Sequence, residues 1–308
     1  MGACAFFRPA GWHQDNVVGT VKAPKFQYVR AESLDQALEF LDRYAEDARI
    51  LAGGQSLMPT LNMRLSQPDI LIDINRLEAL KRISAEEGHV RIGALARHAE
   101  VLSSPIVARD LPLIAEAMPH VAHVAVRNRG TFGGSIALAD PAAELPACVV
   151  ALGATIVVQN VEGRREIPAT DYFEGLYETQ RRANELLVEV RIPVEKPETV
   201  SVFMELSRRH GDFAIAGLAC HARIKDNVVA DAQLVYFASE DKPTLGVRAM
   251  AAIVGKSWSE EIREVAVGEL SDDLNPMANL QGSPAMKLHL QRVLTGRALD
   301  AAIARAAA

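Results

Sequence analysis

Two glycine pairs, each placed where a strand pattern gives way to a helical one, constrain this chain more than any other feature. Leu51-Ala52-Gly53-Gly54-Gln55-Ser56-Leu57 follows a short strand pattern, Arg49 to Ala52, and opens a helical pattern, Leu57 to Leu65, with Pro59 in its first turn. About 80 residues on, Arg129-Gly130-Thr131-Phe132-Gly133-Gly134-Ser135 repeats the arrangement, with the Thr131 and Ser135 hydroxyls flanking the glycines. Lacking Cβ atoms, such pairs can turn successive backbone N–H groups toward one anion, and a helix start adds a favourable dipole. Two such turns can hold two linked phosphates between them. A lone Gly-Gly is as a rule only a tight turn; the second pair, with its hydroxyls, brings the ligand reading level with that one. Neither turn is G-x-G-x-x-G, so a standard Rossmann site is not supported, and Gly255-Lys256-Ser257 fails as a P-loop because the glycine required five positions earlier is Met250.

The periodicities around the turns divide the chain. Ser33 caps a helix, with Gln36 three residues on and Leu34, Ala37, Leu38, Leu41, Tyr44 and Ala45 at helical spacing. Ile70 to Ile74 is a β-branched run expected to lie parallel to the strand before the first turn, which makes a βαβ-type lobe of residues 21–78. A second lobe, 79–196, carries strand patterns at His89–Ala94, Ala154–Asn160 and Leu186–Ile192 and helical ones near Arg97–Ser103 and Pro112–Met118. Glu195-Lys196-Pro197-Glu198 is a charged, Pro-containing break. Beyond it, three strand patterns (Val202–Ser207, Ala214–Ile224, Val228–Ala238) precede three helical ones, the order of an α+β domain. Residues 1–20 show no period and are expected to be a loose extension.

Composition excludes several functions. With 33 Lys+Arg against 39 Asp+Glu, a net charge of −6 and no basic block, nothing recommends a nucleic-acid partner. The longest apolar run, Leu145 to Val158, is interrupted by Pro146, Gly153 and Thr155 and falls short of the ~20 residues of a spanning helix, so it is expected to be buried core. Ala3 to Phe7 is too short for a secretory segment, and Phe6 breaks a myristoylation pattern, which leaves the cytoplasm as the expected compartment. Cys4, Cys148 and Cys220 contain no C-x-x-C, so any metal centre this protein works with is expected on another chain.

Other candidates have plainer readings. His120 and His123 form H-x-x-H, but with no third ligand in reach a loop packed near a ligand is favoured over a metal pair. Asp140 and Glu144 rank as hydrogen-bond acceptors or helix-start charges before an acid/base pair. Arg127, Arg129, Arg208 and Arg209 are candidates to offset phosphate charge, or solvated surface, and Cys148 sits in an apolar run as core.

Four segments together carry a family resemblance: Ala52-Gly53-Gly54-Gln55-Ser56-Leu57-Met58-Pro59, Thr131 to Ala137, Ala139-Asp140-Pro141-Ala142-Ala143-Glu144-Leu145-Pro146, and Ser207-Arg208-Arg209-His210-Gly211-Asp212-Phe213-Ala214. In that order they resemble the FAD-binding medium subunit of molybdenum hydroxylases, the xanthine dehydrogenase and carbon monoxide dehydrogenase family, from about Val21 to the C-terminus. The resemblance implies an α+β flavoprotein: a bipartite FAD-binding domain of the vanillyl-alcohol oxidase (PCMH) type over 21–196, with lobes of about 21–78 and 79–196, and a carbon monoxide dehydrogenase flavoprotein C-terminal domain over 197–308. It implies that Ala52, Gly53, Gly54, Gln55, Ser56 and Leu57, with Thr131, Phe132, Gly133, Gly134 and Ser135, wrap the FAD pyrophosphate, that Asp140 and Glu144 pass near the adenosine and phosphate part, and that Phe213, where many relatives have Tyr, approaches the flavin ring. No residue is implied as catalytic or as a metal ligand. Relatives begin near Lys22, so the resemblance also raises an internal start at Val21, with 1–20 a mis-annotated extension.

The function so implied is electron transfer: FAD receives electrons that a large molybdopterin subunit takes from its substrate and a small [2Fe-2S] subunit relays, and passes them to an external acceptor. The expected assembly is a dimer of heterotrimers. The alternatives are a stand-alone flavin oxidoreductase and a flavin-free docking subunit.

Overall fold

A computed structural model describes residues 22–307; the expectations for residues 1–20 lie outside them. In the first lobe, β1 (Gln27–Arg30), β2 (Ala48–Leu51) and β3 (Ile70–Asp73) form a parallel sheet in the order β1-β3-β2. The central β3 is buried along its whole length, as a strand covered on both faces must be. Helix α1 (Leu34–Tyr44) begins where the Ser33 hydroxyl accepts from the Gln36 N–H, and it buries Ala37, Leu38 and Leu41. Helix α2 (Leu57–Asn62) is shorter than its sequence pattern because Arg64 takes a left-handed conformation (φ 57°) and turns the chain away.

The second lobe is built on an antiparallel sheet of β4 (Ile83–Glu86), β5 (His89–Gly93), β6 (Thr155–Asn160), β7 (Gly163–Pro168) and, after a small hairpin of β8 (Phe173–Gly175) and β9 (Glu178–Thr179), β10 (Leu186–Pro193), in the order β4-β5-β10-β6-β7. Short helices fill the long connection between β5 and β6: α3 (His98–Leu102), α4 (Pro105–Asp110), α5 (Pro112–Ala117), α6 (Val124–Arg127), α7 (Phe132–Leu138) and α8 (Glu144–Ala151); α9 (Ala169–Tyr172) follows β7. The apolar run from Leu145 to Val158 is thus α8 and most of β6, separated by a turn at Gly153 (φ 60°).

The remainder folds as an antiparallel sheet of β11 (Thr199–Leu206), β12 (Ala216–Lys225), β13 (Val228–Phe237) and the short β14 (Thr244–Leu245), followed by α10 (Val247–Ile253), α11 (Glu260–Asp273) and α12 (Pro284–Ala306). Strand alternation sorts its two faces. Leu218, Cys220, Leu234 and Tyr236 pack under the three helices, while Ala219, Val235 and Phe237 join the core of the second lobe. The first lobe's core likewise extends across its boundary, taking in Val157 of β6 and Leu186 and Val188 of β10. Among the described residues no helix is long and apolar enough to cross a membrane.

Every residue of α8 is buried; it packs against β12 and β13 on one side and against α5, α7 and α9 on the other. The seam beside it is tight. A Cβ on Gly217 of β12 would stand 2.1 Å from the ring of Phe237, which itself stacks on Phe203. Gly217→Ala is therefore expected to destabilise the protein by about 1–3 kcal/mol through overpacking, measured as a lowered midpoint of urea unfolding relative to wild type.

Candidate functional site

Both glycine turns open on one cavity of about 670 Å³ between the lobes, a volume in the range of small-molecule and cofactor sites. Ala52, Gly53, Gly54, Gln55, Ser56 and Leu57 line one wall, and Thr131, Gly133, Gly134 and Ser135 the opposite one. Asp140, Glu144 and Phe213 also line it. Phe132 does not line it. Its ring is fully buried in the core of the second lobe and its N–H donates to the Ala96 carbonyl, so the motif's one large apolar residue anchors α7 and does not face the cavity.

The two turns are chemically different. In the first, Gly54 takes a left-handed conformation (φ 71°), and among the described residues no N–H from Gly53 through Leu57 has a protein acceptor. Such a run of unspent donors is the backbone cradle an anion needs. In the second, the donors are already used: Phe132 and Gly133 donate to the Ala96 and Ala94 carbonyls, Gly134 to the Thr131 hydroxyl and Ser135 to the Thr131 carbonyl. The glycines there serve close approach. A Cβ on Gly133 would lie 2.6 Å from Ala94, and one on Gly134 2.6 Å from the Thr131 hydroxyl that caps α7. What the second turn offers a ligand is shape and the hydroxyl of the half-buried Ser135.

The turns also touch each other, since a Cβ on Gly53 would meet the Arg129 carbonyl oxygen at 2.5 Å. A link that the sequence did not announce holds them so. Asn75 donates to the Leu51 and Ala52 carbonyls (3.2 and 2.8 Å) and accepts from the Arg97 guanidinium (2.6 Å), whose other nitrogen donates to the Arg129 carbonyl. Of the arginines weighed as phosphate partners, Arg127 donates to the Val121 and Ala122 carbonyls and Arg208 to that of Leu280. The acidic groups Glu46, Asp140, Glu144 and Glu185 outnumber Arg49 and Arg181 along the cavity, so a bound anion would rely on backbone donors.

Three further lining side chains escaped sequence reasoning. Tyr177, in the left-handed region (φ 58°) on the β8–β9 turn, donates to Asp140 Oδ2 at 3.1 Å; burial and the neighbouring carboxylate push its phenol up to about 12. His98 is neutral, because burial together with the charges of Arg127 and Arg97 brings its imidazole down to about 4. Arg181 donates to the Arg182 and Glu185 carbonyls. A tyrosine in a turn, a histidine one residue into a helix and a loop arginine carry no motif by which to find them. His120 and His123 do not converge: Nδ1 of His120 lies 3.2 Å from Glu205, and His123 packs against Gly211.

Glu144, at the first position of α8, is 5% exposed. Burial, reinforced by Glu205 and Asp140, raises its carboxyl to about 8. A carboxyl raised in the folded state holds a proton that the unfolded chain has released, so its contribution is present below about pH 4.5 and is lost as pH rises toward about 8. Glu144→Gln removes that loss: its thermal midpoint, measured without ligand, is expected to gain on wild type between pH 5 and pH 8.5.

A family model described as the FAD binding domain in molybdopterin dehydrogenase matches residues 24–195, and one described as the CO dehydrogenase flavoprotein C-terminal domain matches residues 201–302. The glyceraldehyde dehydrogenase medium chain of Sulfolobus acidocaldarius is 37% identical, over 89% of this chain and 97% of that protein. The carbon monoxide dehydrogenase medium chain of Hydrogenophaga pseudoflava is 36% identical over 92% and 99%. A solved structure of carbon monoxide dehydrogenase from the same organism matches with a TM-score of 0.90 at 37% identity, covering 92% of this chain and 99% of that one, and quinoline 2-oxidoreductase from Pseudomonas putida 86 matches at 0.88 and 36%, over the same shares. With both family models matched and relatives that are dehydrogenase subunits along nearly their whole length, the chain belongs to the FAD-binding medium subunits of the molybdenum hydroxylase family, oxidoreductases of the carbon monoxide dehydrogenase type.

Proposed function

We propose that this chain works in a heterotrimer, receiving electrons from a large molybdopterin subunit through a small [2Fe-2S] subunit and passing them from FAD to an external acceptor. The assembly is a dimer of such trimers in the cytoplasm. Relatives that are medium chains and subunits of dehydrogenase complexes support this reading.

The observation that carries it is the run of unspent N–H groups from Gly53 to Leu57, facing a second turn built for shape. On this reading residues 21–196 form the FAD unit and 197–308 the domain that brings Phe213 to it. The Gly53–Leu57 donors and the Ser135 hydroxyl hold the diphosphate, Asp140 accepts from a ribose or amine group, and Leu95, Leu186 and Leu187 keep water from the cavity. Phe213, half exposed at the cavity, presents an apolar face without the hydroxyl a tyrosine would add. Bound there, FAD supplies a reversible electron acceptor; the protein binds, orients and tunes it.

Gly54→Val forces a branched residue into a left-handed turn, and Gly134→Val drives a methyl group into the Thr131 cap. Each is expected to lower FAD content to about a tenth of wild type or less, read from flavin absorbance of the purified full chain. Normal FAD in both would remove these turns from the site. Iron and molybdenum in stoichiometric amount with the natively purified protein are expected for the heterotrimer, and their absence would favour a free-standing flavoprotein.

A further inference from the structure

On the reading that the cavity holds FAD with its adenosine end beside Asp140, we infer that Tyr177 is the platform on which the adenine ring stacks, and that this contact makes the cavity prefer the dinucleotide to the shorter FMN. Tyr177 sits at the tip of the β8–β9 hairpin, in the two-residue turn between the paired Gly175 and Glu178. It lines the cavity and is 54% exposed. Its hydroxyl, the side chain's one donor, is committed to Asp140 Oδ2 at 3.1 Å. What Tyr177 has left to offer a ligand is the face of its ring.

The ring is held in place against a backbone preference. At φ 58° Tyr177 occupies a left-handed position that turns ordinarily give to glycine or asparagine. Such a conformation persists in a bulky residue only where its surroundings fix it, and here both partners are fixed. The base of the hairpin is anchored by the buried side chains of Tyr172 and Phe173, whose rings meet edge to face at 5.1 Å, by the Gln180 N–H on the Tyr172 carbonyl (2.9 Å) and by Lys242 on the Glu174 carbonyl (3.3 Å). Asp140 is pinned in turn. Its Oδ1 accepts from the Ala142 N–H (2.9 Å) and its carbonyl from the Ala143 N–H (3.0 Å), while the next carbonyl, that of Pro141, accepts from Ala238 of the C-terminal domain (2.8 Å).

The charge of Asp140 decides which part of a dinucleotide belongs beside this pair. A carboxylate repels the diphosphate, whereas adenosine is uncharged and carries an amine and ribose hydroxyls that can donate to the lone pairs Asp140 has left. A purine laid on the phenol ring gains from stacking, which needs neither charge nor a further hydrogen bond. FMN has no adenosine and forgoes the contact, so Tyr177 strengthens only the longer ligand. Burial and then the Asp140 charge raise the phenol to about 12, so it stays protonated near neutral pH and keeps the hydrogen bond that orients the ring.

Titration of the flavin-stripped full chain with FAD and with FMN, and competition of FAD by ADP, test this. Wild type is expected to bind FAD more tightly than FMN and to release it to ADP. Tyr177→Gly and Tyr177→Asn both suit a left-handed turn, so their thermal midpoints without ligand are expected to hold or rise. Both are nevertheless expected to lose about 10–100-fold in FAD affinity, to bind FMN as wild type does and to lose the competition by ADP. Tyr177→Phe keeps the ring and should stay within about tenfold of wild type for FAD. The proposal is overturned if wild type binds FAD and FMN equally, if Tyr177→Gly and Tyr177→Asn bind FAD as wild type does, or if they weaken FAD and FMN by the same factor, which would put the ring against the flavin or give it only a role in the turn. Wild-type protein that binds neither flavin would instead bring down the flavin reading, and this inference with it, before any variant is made.

Discussion

A helix with no solvent-facing side holds this molecule together. Because α8 is buried along all of its length, it has to be covered on one side by the C-terminal sheet and on the other by the helices of the second lobe. The core of the second lobe accordingly runs without a break into Phe203, Ala219, Val235 and Phe237. That continuity brings the loop bearing His210 and Phe213 over the cavity, and it places the one charged side chain of α8, Glu144, at the cavity wall, where an acid can be buried without destroying packing.

The two turns that resemble each other in sequence divide their work. The first keeps its donors free because nothing in its own lobe reaches them; the second uses its donors to fasten α7 to the Gly93–Ala96 segment. Binding polarity and binding shape thus come from different lobes, held in register by the Asn75 to Arg97 link.

Much of this was legible in the sequence. The glycines announced both turns, the parallel neighbour of the first strand followed from the β-branched run at Ile70, and the C-terminal order of strands then helices is the order observed. The weak spots have physical causes. Edge strands β4 and β7 are short and carry charged residues, with only Ile83 and Ile167 as large apolar residues, too few to mark a period. Phe132 sits inside a glycine motif, but its backbone conformation, which no pattern reveals, turns it to the core. The roles of Arg97, Tyr177, His98 and Glu205 arise only when segments far apart in sequence meet, and a single chain's spacing does not encode those meetings.

The split of donors and shape between lobes has a thermodynamic corollary. The small parallel lobe buries a modest apolar cluster that takes in Leu80, Leu95, Val157, Leu186 and Val188 of its neighbour, and hydrogen bonds such as Arg97 to Asn75 and Asn184 to Asp42 also join the two. On the proposed function, a diphosphate held by backbone from one lobe and seated against the other would act as a reversible cross-link between two cores. Loading would then stabilise by mass action the native pairing of lobes, and the small lobe would gain resistance to local opening from the molecule it helps to hold.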